Sequence, residues 1–493
     1  MTKEYNEQMQ VRVDKMNNLK EEGINPFLNG YKPTTNSLNI VSSFDSFTKE
    51  QLEENTSSGS IAGRIMMNRG QGKAGFMTVQ DPFGEIQLYF NKSNISEEEF
   101  SVWKQLDIGD IIYASGEVMK TKVGALAIRV KEFKLLTKSI RPLPEKFHGL
   151  QDKEERFRRR YVDLIMNQES KEVLIKRSLI IKEIRNVLSD NGYLEVETPI
   201  LQTIAGGAAA KPFITHHNSL DIEMYLRIAP ELYLKRLIVG GIDKVFEIGR
   251  LFRNEGMSIK HNPEFTSVEL YESYGDMNSM MKICEEIIKE TCLKVNDSLL
   301  INYQGTDIDL NNFKRIRMAN LVNEVCGVNF DNITNLEEAK KIAKDNNIAL
   351  DDHHFSIGHI LNEFFEQKCE ETLIQPTFVY NHPVEVSPLS RIDDTDPRYT
   401  ERFELFIDTR EYANAFSELN DPIDQLSRFE DQVKESELGN EEATQVDYDF
   451  VEALEVGLPP TGGLGIGVDR LVMLLTDSNS IREVIPFPTM KNK

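Results

Sequence analysis

Between two strand-like runs, KVFEIGRLFR and EFTSVELYESY, a polar loop carries Arg253, Glu255, Lys260 and His261 and ends beside Phe265. These residue types can meet phosphates and a purine together. Arginine offers a planar fork of donors to phosphate oxygens, and an aromatic face stacks on a base. By spacing alone the same loop is more simply a charged hairpin tip. Other familiar patterns fail: Gly462, Gly463, Gly465 and Gly467 do not fit G-x-G-x-x-G and no βαβ unit surrounds them, and the stretch at Gly70 lacks the Ser or Thr of a P-loop. Four cysteines without a C-x-x-C pair, and eight histidines without H-E-x-x-H, argue against zinc.

The elements that must hold this loop can be read from periodicity. Two strands joined by so short a connection pair antiparallel. Ahead of them, Val173, Ile180, Ile184 and Val187 share one face of a helix over about 169–191, which Gly192 stops. A strand ending at Thr198-Pro199 and a helix started by Pro230 follow. Segments 276–294, 334–345 and 420–437 read as helices and 408–418 as a strand. Earlier, from Ser60 to about Leu136, five short alternating strands with a helix near 96–105 suggest a small OB-type barrel. The expected division is an N-terminal helix and lead-in over 1–59, the barrel over 60–140, a proline-containing linker over 141–155 and a second domain over 156–493.

With 493 residues, 40% hydrophobic and 28% charged, the chain fits a globular protein of two or more domains. The first residues, MTKEYNEQMQ, lack an export signal and no apolar run approaches about 18 residues, so neither export nor membrane spanning is expected. A net charge of −23 opposes indiscriminate nucleic-acid binding. Local basic surface exists all the same, at Lys120, Lys122, Arg129, Lys131, Lys134 and Lys138, and again over Arg156–Arg160. A solvated charged face is the plain alternative.

Three segments in order carry a family resemblance. FRNEG followed by HNPEF resembles motif 2 of class II aminoacyl-tRNA synthetases, GLGIGVDR resembles motif 3, and the helix running to Pro199 resembles motif 1. The stretch GGAAAKPFITHHNSLDIEMYLRIAPELYLKRLIVGG, with RPLP and HGL before it and NAFSELNDP after it, resembles the bacterial lysyl-tRNA synthetases over nearly the whole chain. Lys211 departs from the arginine usual there. The implied fold is α+β: an N-terminal OB-fold barrel plus a class II catalytic domain built on an antiparallel sheet flanked by helices.

The resemblance also implies roles. Arg253 would bind the ATP α-phosphate and the amino-acid carboxylate, Glu255 and Asn262 would sit at the nucleotide, Phe265 would stack on adenine, and His261 and Arg470 would hold the outer phosphates. Arg253 and Arg470 would be the catalytic pair. Glu404, also at the nucleotide, and Glu411 would ligate Mg²⁺, although either alone reads as a surface carboxylate. Related enzymes act on aspartate or asparagine, and side-chain charge separates them: Glu269 and Tyr271 share one strand face, and Asn414, Phe416 and Glu418 another, so the pocket would be anionic. Such a pocket suits the ε-ammonium of L-lysine, with Glu418 and Tyr271 as acceptors, Phe416 on the methylenes, and Glu231 with Gly206 near the α-amino group. In the barrel, Phe76 and Gln87 resemble the residues that read the anticodon of tRNA(Lys), with Arg64 and Glu117 beside them. By itself Phe76 reads as barrel core. A homodimer through motif 1, where Leu174, Ile175 and Ile181 add apolar surface, and a cytoplasmic location complete what the resemblance implies.

Overall fold

The computed structural model describes residues 5–70, 72–144, 150, 152–350, 356–437 and 446–491, so the expected linker at 141–155 lies partly outside the described residues. The chain divides into two compact units, Met1–Leu150 and Gln151–Lys493.

The first unit opens with the helix Glu7–Glu21, whose N-terminus is capped by the Asn6 side chain. Two short helices, Ser37–Phe44 and Lys49–Glu54, precede the barrel; runs this short leave no periodic signature. Strands β1 (Ser58–Arg69), β2 (Ala74–Gln80), β3 (Glu85–Asn91), β4 (Ile111–Lys120) and β5 (Leu126–Thr137) close in the order β1-β2-β3-β5-β4. Strict alternation of buried and half-buried residues along β2, β3 and β4 sends Met77, Val79, Leu88, Phe90 and Ile112 inward. The helix Glu97–Gln105, started by a Ser96 capping box, adds Trp103, which stacks on Phe90 with ring centroids 5.3 Å apart.

One buried charge ties the end of this barrel together. The Lys138 ammonium donates to Asp107 at 2.6 Å, to Asp110 at 2.8 Å and to the Gln105 carbonyl at 3.0 Å. Lys138 and Asp110 side chains are fully buried.

The second unit is built on an eight-stranded sheet. Its strands are β6 (Leu194–Glu195), β7 (Lys244–Phe252), β8 (Glu264–Ser273), β9 (Lys314–Arg317), β10 (Thr377–Tyr380), β11 (Arg402–Ile407), β12 (Arg410–Ser417) and β13 (Thr461–Gly467). They lie in the order β9-β10-β11-β12-β13-β8-β7-β6. The β7–β8 hairpin is antiparallel, as its short loop requires. The sheet as a whole is mixed, because β6 joins β7 and β9 joins β10 in parallel. Both parallel pairs involve strands of two to four residues, too short to read from alternation.

Helices Gln168–Asp190 and Met277–Asn296 cover one face of this sheet. Ile180, Ile184, Met280, Cys284 and Ile287 pack there against Phe246, Val268, Leu270, Leu464 and Ile466. Because side chains alternate along a strand, the residues between these face the opposite side. No described helix is long and apolar enough to cross a membrane.

Breaking a buried ion pair by removing one partner costs roughly 3–5 kcal/mol. Lys138→Met should therefore destabilise the first unit by about that amount. Trp103, the only tryptophan, reports that unit by its fluorescence in urea unfolding. An unchanged midpoint would mean that the ammonium contributes nothing net.

Candidate active site and barrel face

The open face of the large sheet carries a cavity of about 650 Å³. Its floor follows from register. Glu269 on β8 lies opposite Gly465 on β13, Gly465 opposite Asn414 on β12, and Asn414 opposite Glu404 on β11. The next row runs Tyr271, Gly463, Phe416 and Arg402. The central strand thus presents glycine in both rows while its Leu464 and Ile466 point into the core. A Cβ at Gly463 would come 1.9 Å from Glu418 Oε1 and 2.6 Å from the Tyr271 ring, so no larger residue fits.

The β7–β8 loop borders one end. Arg253, Glu255, His261, Asn262 and Phe265 all line the cavity. The Arg253 guanidinium lies over the Phe265 ring, 5.3 Å from its centroid, and its buried Nε makes no hydrogen bond among the described residues. His261 Nδ1 is 3.0 Å from Ser258 Oγ, and burial together with the Arg470 charge lowers its pKa. Asn262 is buried and its side-chain amide donates to the Glu264 carbonyl at 2.7 Å. Arg470, on the helix Val468–Leu475, donates to the Glu411 carbonyl at 2.6 Å and to its Oε2 at 3.2 Å.

The other end is acidic and little exposed. Glu231, Glu269 and Glu418 are each less than a tenth exposed. Burial pushes the Glu269 carboxyl up to about 8, helped by the negative charge of Glu231. Burial likewise holds Glu418 well above the ordinary carboxylate range, against the pull of Lys235. The Tyr271 hydroxyl donates to Glu269 Oε2 at 3.4 Å. Gly206 is buried behind the wall, where Leu232 Cδ1 stands 2.9 Å from the position of its missing Cβ; Gly207 lines the cavity instead.

Two functional-looking cations went unread in the sequence. Lys235 lies four residues after Glu231 on the helix Glu231–Val239 and ion-pairs with both Glu231, at 2.6 Å, and Glu418. Arg402 lies two residues before Glu404 on β11, donating to Glu404 Oε1 at 2.5 Å and to Asn414 Oδ1 at 3.0 Å. Spacings of four on a helix and two on a strand were the available signals, but each needs a burial pattern that the sequence does not state.

Carboxylates gather near Glu404 and Glu411. Burial and the charges of Glu366, Glu404 and Glu411 push Glu370 up to about 7, which marks a surplus of negative charge. No group of three or more potential metal ligands occurs among the described residues. Two carboxylates nevertheless suit Mg²⁺, which keeps several waters and shares substrate phosphates.

On the barrel, Arg69 lies opposite Phe76, Phe76 opposite Tyr89, Tyr89 opposite Arg129, and Arg129 opposite Glu117, forming one band across the outer surface. Phe76 is half-buried on that outer face and not core, with its ring 5.0 Å from that of Tyr89. Gln87 faces outward one row away, opposite Thr78. Arg64 is not brought to this band. It pairs with Gln80 and Ile111, and its guanidinium donates to the Gly109 carbonyl at 2.8 Å. A bulge between Ile65 and Met67 shifts the register, and Arg69 stands opposite Phe76.

Residues 152–491 match the family described as tRNA synthetases class II (D, K and N), and residues 60–136 match the OB-fold nucleic acid binding domain. The chain belongs to the class II tRNA synthetases of this group, an enzyme family of ATP-dependent ligases. It is 55% identical over 491 residues to the lysine–tRNA ligase of Bacillus cytotoxicus, covering 99% of this chain and 98% of that one. It is 54% identical, with the same coverage, to the lysine–tRNA ligases of Bacillus cereus and Bacillus thuringiensis.

The raised pKa of Glu269 gives stability a definite pH dependence. Folded Glu269 holds a proton that the unfolded chain releases, so its contribution is complete below the ordinary carboxylate pKa and is lost as pH rises through about 8. Glu269→Gln cannot ionise. The variant should lose less stability than the wild-type chain between about pH 5 and pH 8 in urea unfolding. Equal losses in the two proteins would show that Glu269 is already ionised at neutral pH.

Proposed function

We propose that this chain is a lysine–tRNA ligase whose cavity joins L-lysine to ATP as lysyl-adenylate, releasing pyrophosphate, and then passes the lysyl group to the 3′ end of tRNA(Lys), releasing AMP. One observation carries the reading: the cavity is polarised, with three buried carboxyl groups at one end and Arg253, His261 and Arg470 at the other. A substrate with two ammonium groups and one carboxylate fits that gradient in a single direction. Its ε-ammonium meets Glu418 and Tyr271, its methylenes cross Phe416 and the Gly463 gap, its α-ammonium meets Glu231 and Glu269, and its carboxylate points to Arg253 beside Asn414.

In the first half-reaction a lysine carboxylate oxygen forms a bond to the α-phosphorus while the bond to the pyrophosphate oxygen breaks. No side-chain nucleophile is needed. Arg253 neutralises charge where the five-coordinate phosphorus gathers it, and position supplies much of the rest. Phe265 stacks on adenine and Glu255 accepts from its amino group, while His261, Asn262 and Arg470 hold the phosphate end. Glu404 and Glu411 would hold Mg²⁺, which neutralises phosphate charge when bound.

The barrel band would take the anticodon: Phe76, with Tyr89, offers a stacking surface, and Gln87, Arg69 and Glu117 offer base-edge and backbone contacts. We assign the chain to a homodimer in the cytoplasm. Supporting the dimer, Ile175, Leu179, Leu194 and Ile200 on and after the long N-terminal helix of the second unit are all exposed apolar residues.

The direct test is lysine-dependent exchange of pyrophosphate into ATP, with other amino acids as controls; exchange driven by another amino acid instead would overturn the assignment. Glu418→Gln leaves the substrate ammonium without its counter-charge, a loss of roughly 3–5 kcal/mol. It should raise the lysine KM steeply and leave the ATP KM nearly unchanged. If both rose together, Glu418 would not face lysine.

Phe76→Ala should separate the two half-reactions. Losing one stacked base contact removes about 1–3 kcal/mol, or roughly ten- to a hundredfold in aminoacylation at limiting tRNA. Pyrophosphate exchange, which uses no tRNA, should stay at the wild-type level. Unchanged aminoacylation in a folded variant would remove Phe76 from the anticodon site.

A further inference from the structure

Lys235 is fully buried, and both of its ion-pair partners belong to the acidic end of the cavity. Its ammonium lies 2.6 Å from Glu231 Oε1 and ion-pairs with Glu418. The rings of Phe416, Phe450 and Tyr271 surround it, at 5.4, 5.8 and 6.0 Å from their centroids. It does not border the cavity, so it can act only through the two carboxylates. Glu418 Oε1 meanwhile makes no hydrogen bond among the described residues and faces the Gly463 gap.

We propose that Lys235 is a positioning residue for lysine recognition: an internal ammonium that holds the Glu231 and Glu418 carboxylates apart and leaves an oxygen of each for the two ammonium groups of the substrate. This rests on the placement of lysine argued above. Both carboxylates touch the same nitrogen, so their nearest oxygens are no more than about 5 Å apart. Two buried carboxyls so close, without a cation between them, share a proton and titrate as a pair. The shared proton would turn the acceptor oxygens toward each other, and arriving lysine would have to displace it. With Lys235 in place the charges balance on binding: Glu231, Glu269 and Glu418 face Lys235 and two substrate ammoniums.

Other charges bear on the same groups. Glu269 and Tyr271 face it from β8, Arg402 on β11 acts on Glu231, and Arg253 and Arg227 act on Glu269. From the helix Tyr448–Gly457 the Phe450 ring approaches Lys235; Asp447, which caps that helix, is engaged by Arg236.

The test compares Lys235→Met, Lys235→Gln and Lys235→Arg with wild type, as full chains, in pyrophosphate exchange over about pH 6 to 9. Both neutral variants should raise the lysine KM about ten- to a hundredfold at neutral pH, with kcat and the ATP KM within about twofold. Their lysine KM should fall as pH rises, by up to about tenfold per unit more than in wild type, because the shared proton must leave before lysine pairs. Lys235→Arg, which keeps the charge, should keep the wild-type slope. A wild-type slope in the folded neutral variants would overturn the proposal. So would equal losses toward lysine and ATP, or neutral variants that fail to fold while Lys235→Arg folds, since these mark a purely structural lysine. A wild-type protein that shows no lysine-dependent exchange would instead refute the substrate assignment.

Discussion

The second unit depends on one steric constraint, that beneath the cavity the middle strand of its sheet carries no side chains on one face. Along β13, Leu464 and Ile466 anchor the strand in the core while Gly463 and Gly465 leave the other face bare. Glycine weakens a strand through its entropy and its lack of packing. That cost is tolerated here because β8 and β12 pair with it on either side. What results is a trough one strand wide, walled by Glu269 and Tyr271 on one side and by Asn414 and Phe416 on the other. The chemistry of the cavity is therefore written on the neighbours of the glycine strand, and register is what brings those neighbours level.

That dependence explains which parts of the site were legible in the sequence. Glu269 with Tyr271, and Asn414 with Phe416, could be placed on common faces because strand alternation has a fixed period of two. The β7–β8 hairpin was legible because a short loop between strands leaves only antiparallel pairing. Arg64 shows the converse: one bulge in β1 breaks the phase between it and the Phe76 band, and nothing in the residue types announces it. Lys235 escaped notice because an internal lysine looks the same in sequence as an exposed one. The parallel edge strands were too short for any period to register, and β9 and β10 are separated by 59 residues, so no turn signal linked them.

The barrel works by different electrostatics. With a net charge of −23 the chain cannot attract nucleic acid by its overall field, so recognition must rest on a local surface. Along the outer band, Glu117 is paired with Arg129 and Lys131, all at least a fifth exposed. Exposed pairs of this kind are worth about 0–1 kcal/mol, so exchanging them for phosphate or base contacts costs little. The aromatic pair Phe76 and Tyr89 is the stiffer part of the surface, since its rings are already held against each other.

In the cavity, by contrast, the carboxyls are buried, and burial sets what the site can distinguish. Burial raises Glu269 so far that an ammonium must arrive to make its ionised form favourable, and it raises Glu418 against the pull of Lys235, which leaves Oε1 without a hydrogen bond among the described residues. On the reading proposed here, a neutral side chain of lysine's length would leave those groups unpaired, and sites built around buried polar partners reject such analogues by about four to five orders of magnitude. Chain length is a weaker criterion, because one methylene more or less against Phe416 is worth only about 1–3 kcal/mol. A shorter diamino acid can still present both ammoniums, although its carboxylate then falls short of Arg253. On that placement, selection of lysine over its closest cationic analogues would rest on the fixed span between Glu418 and Arg253, and the sheet that sets this span would be a determinant of specificity in its own right.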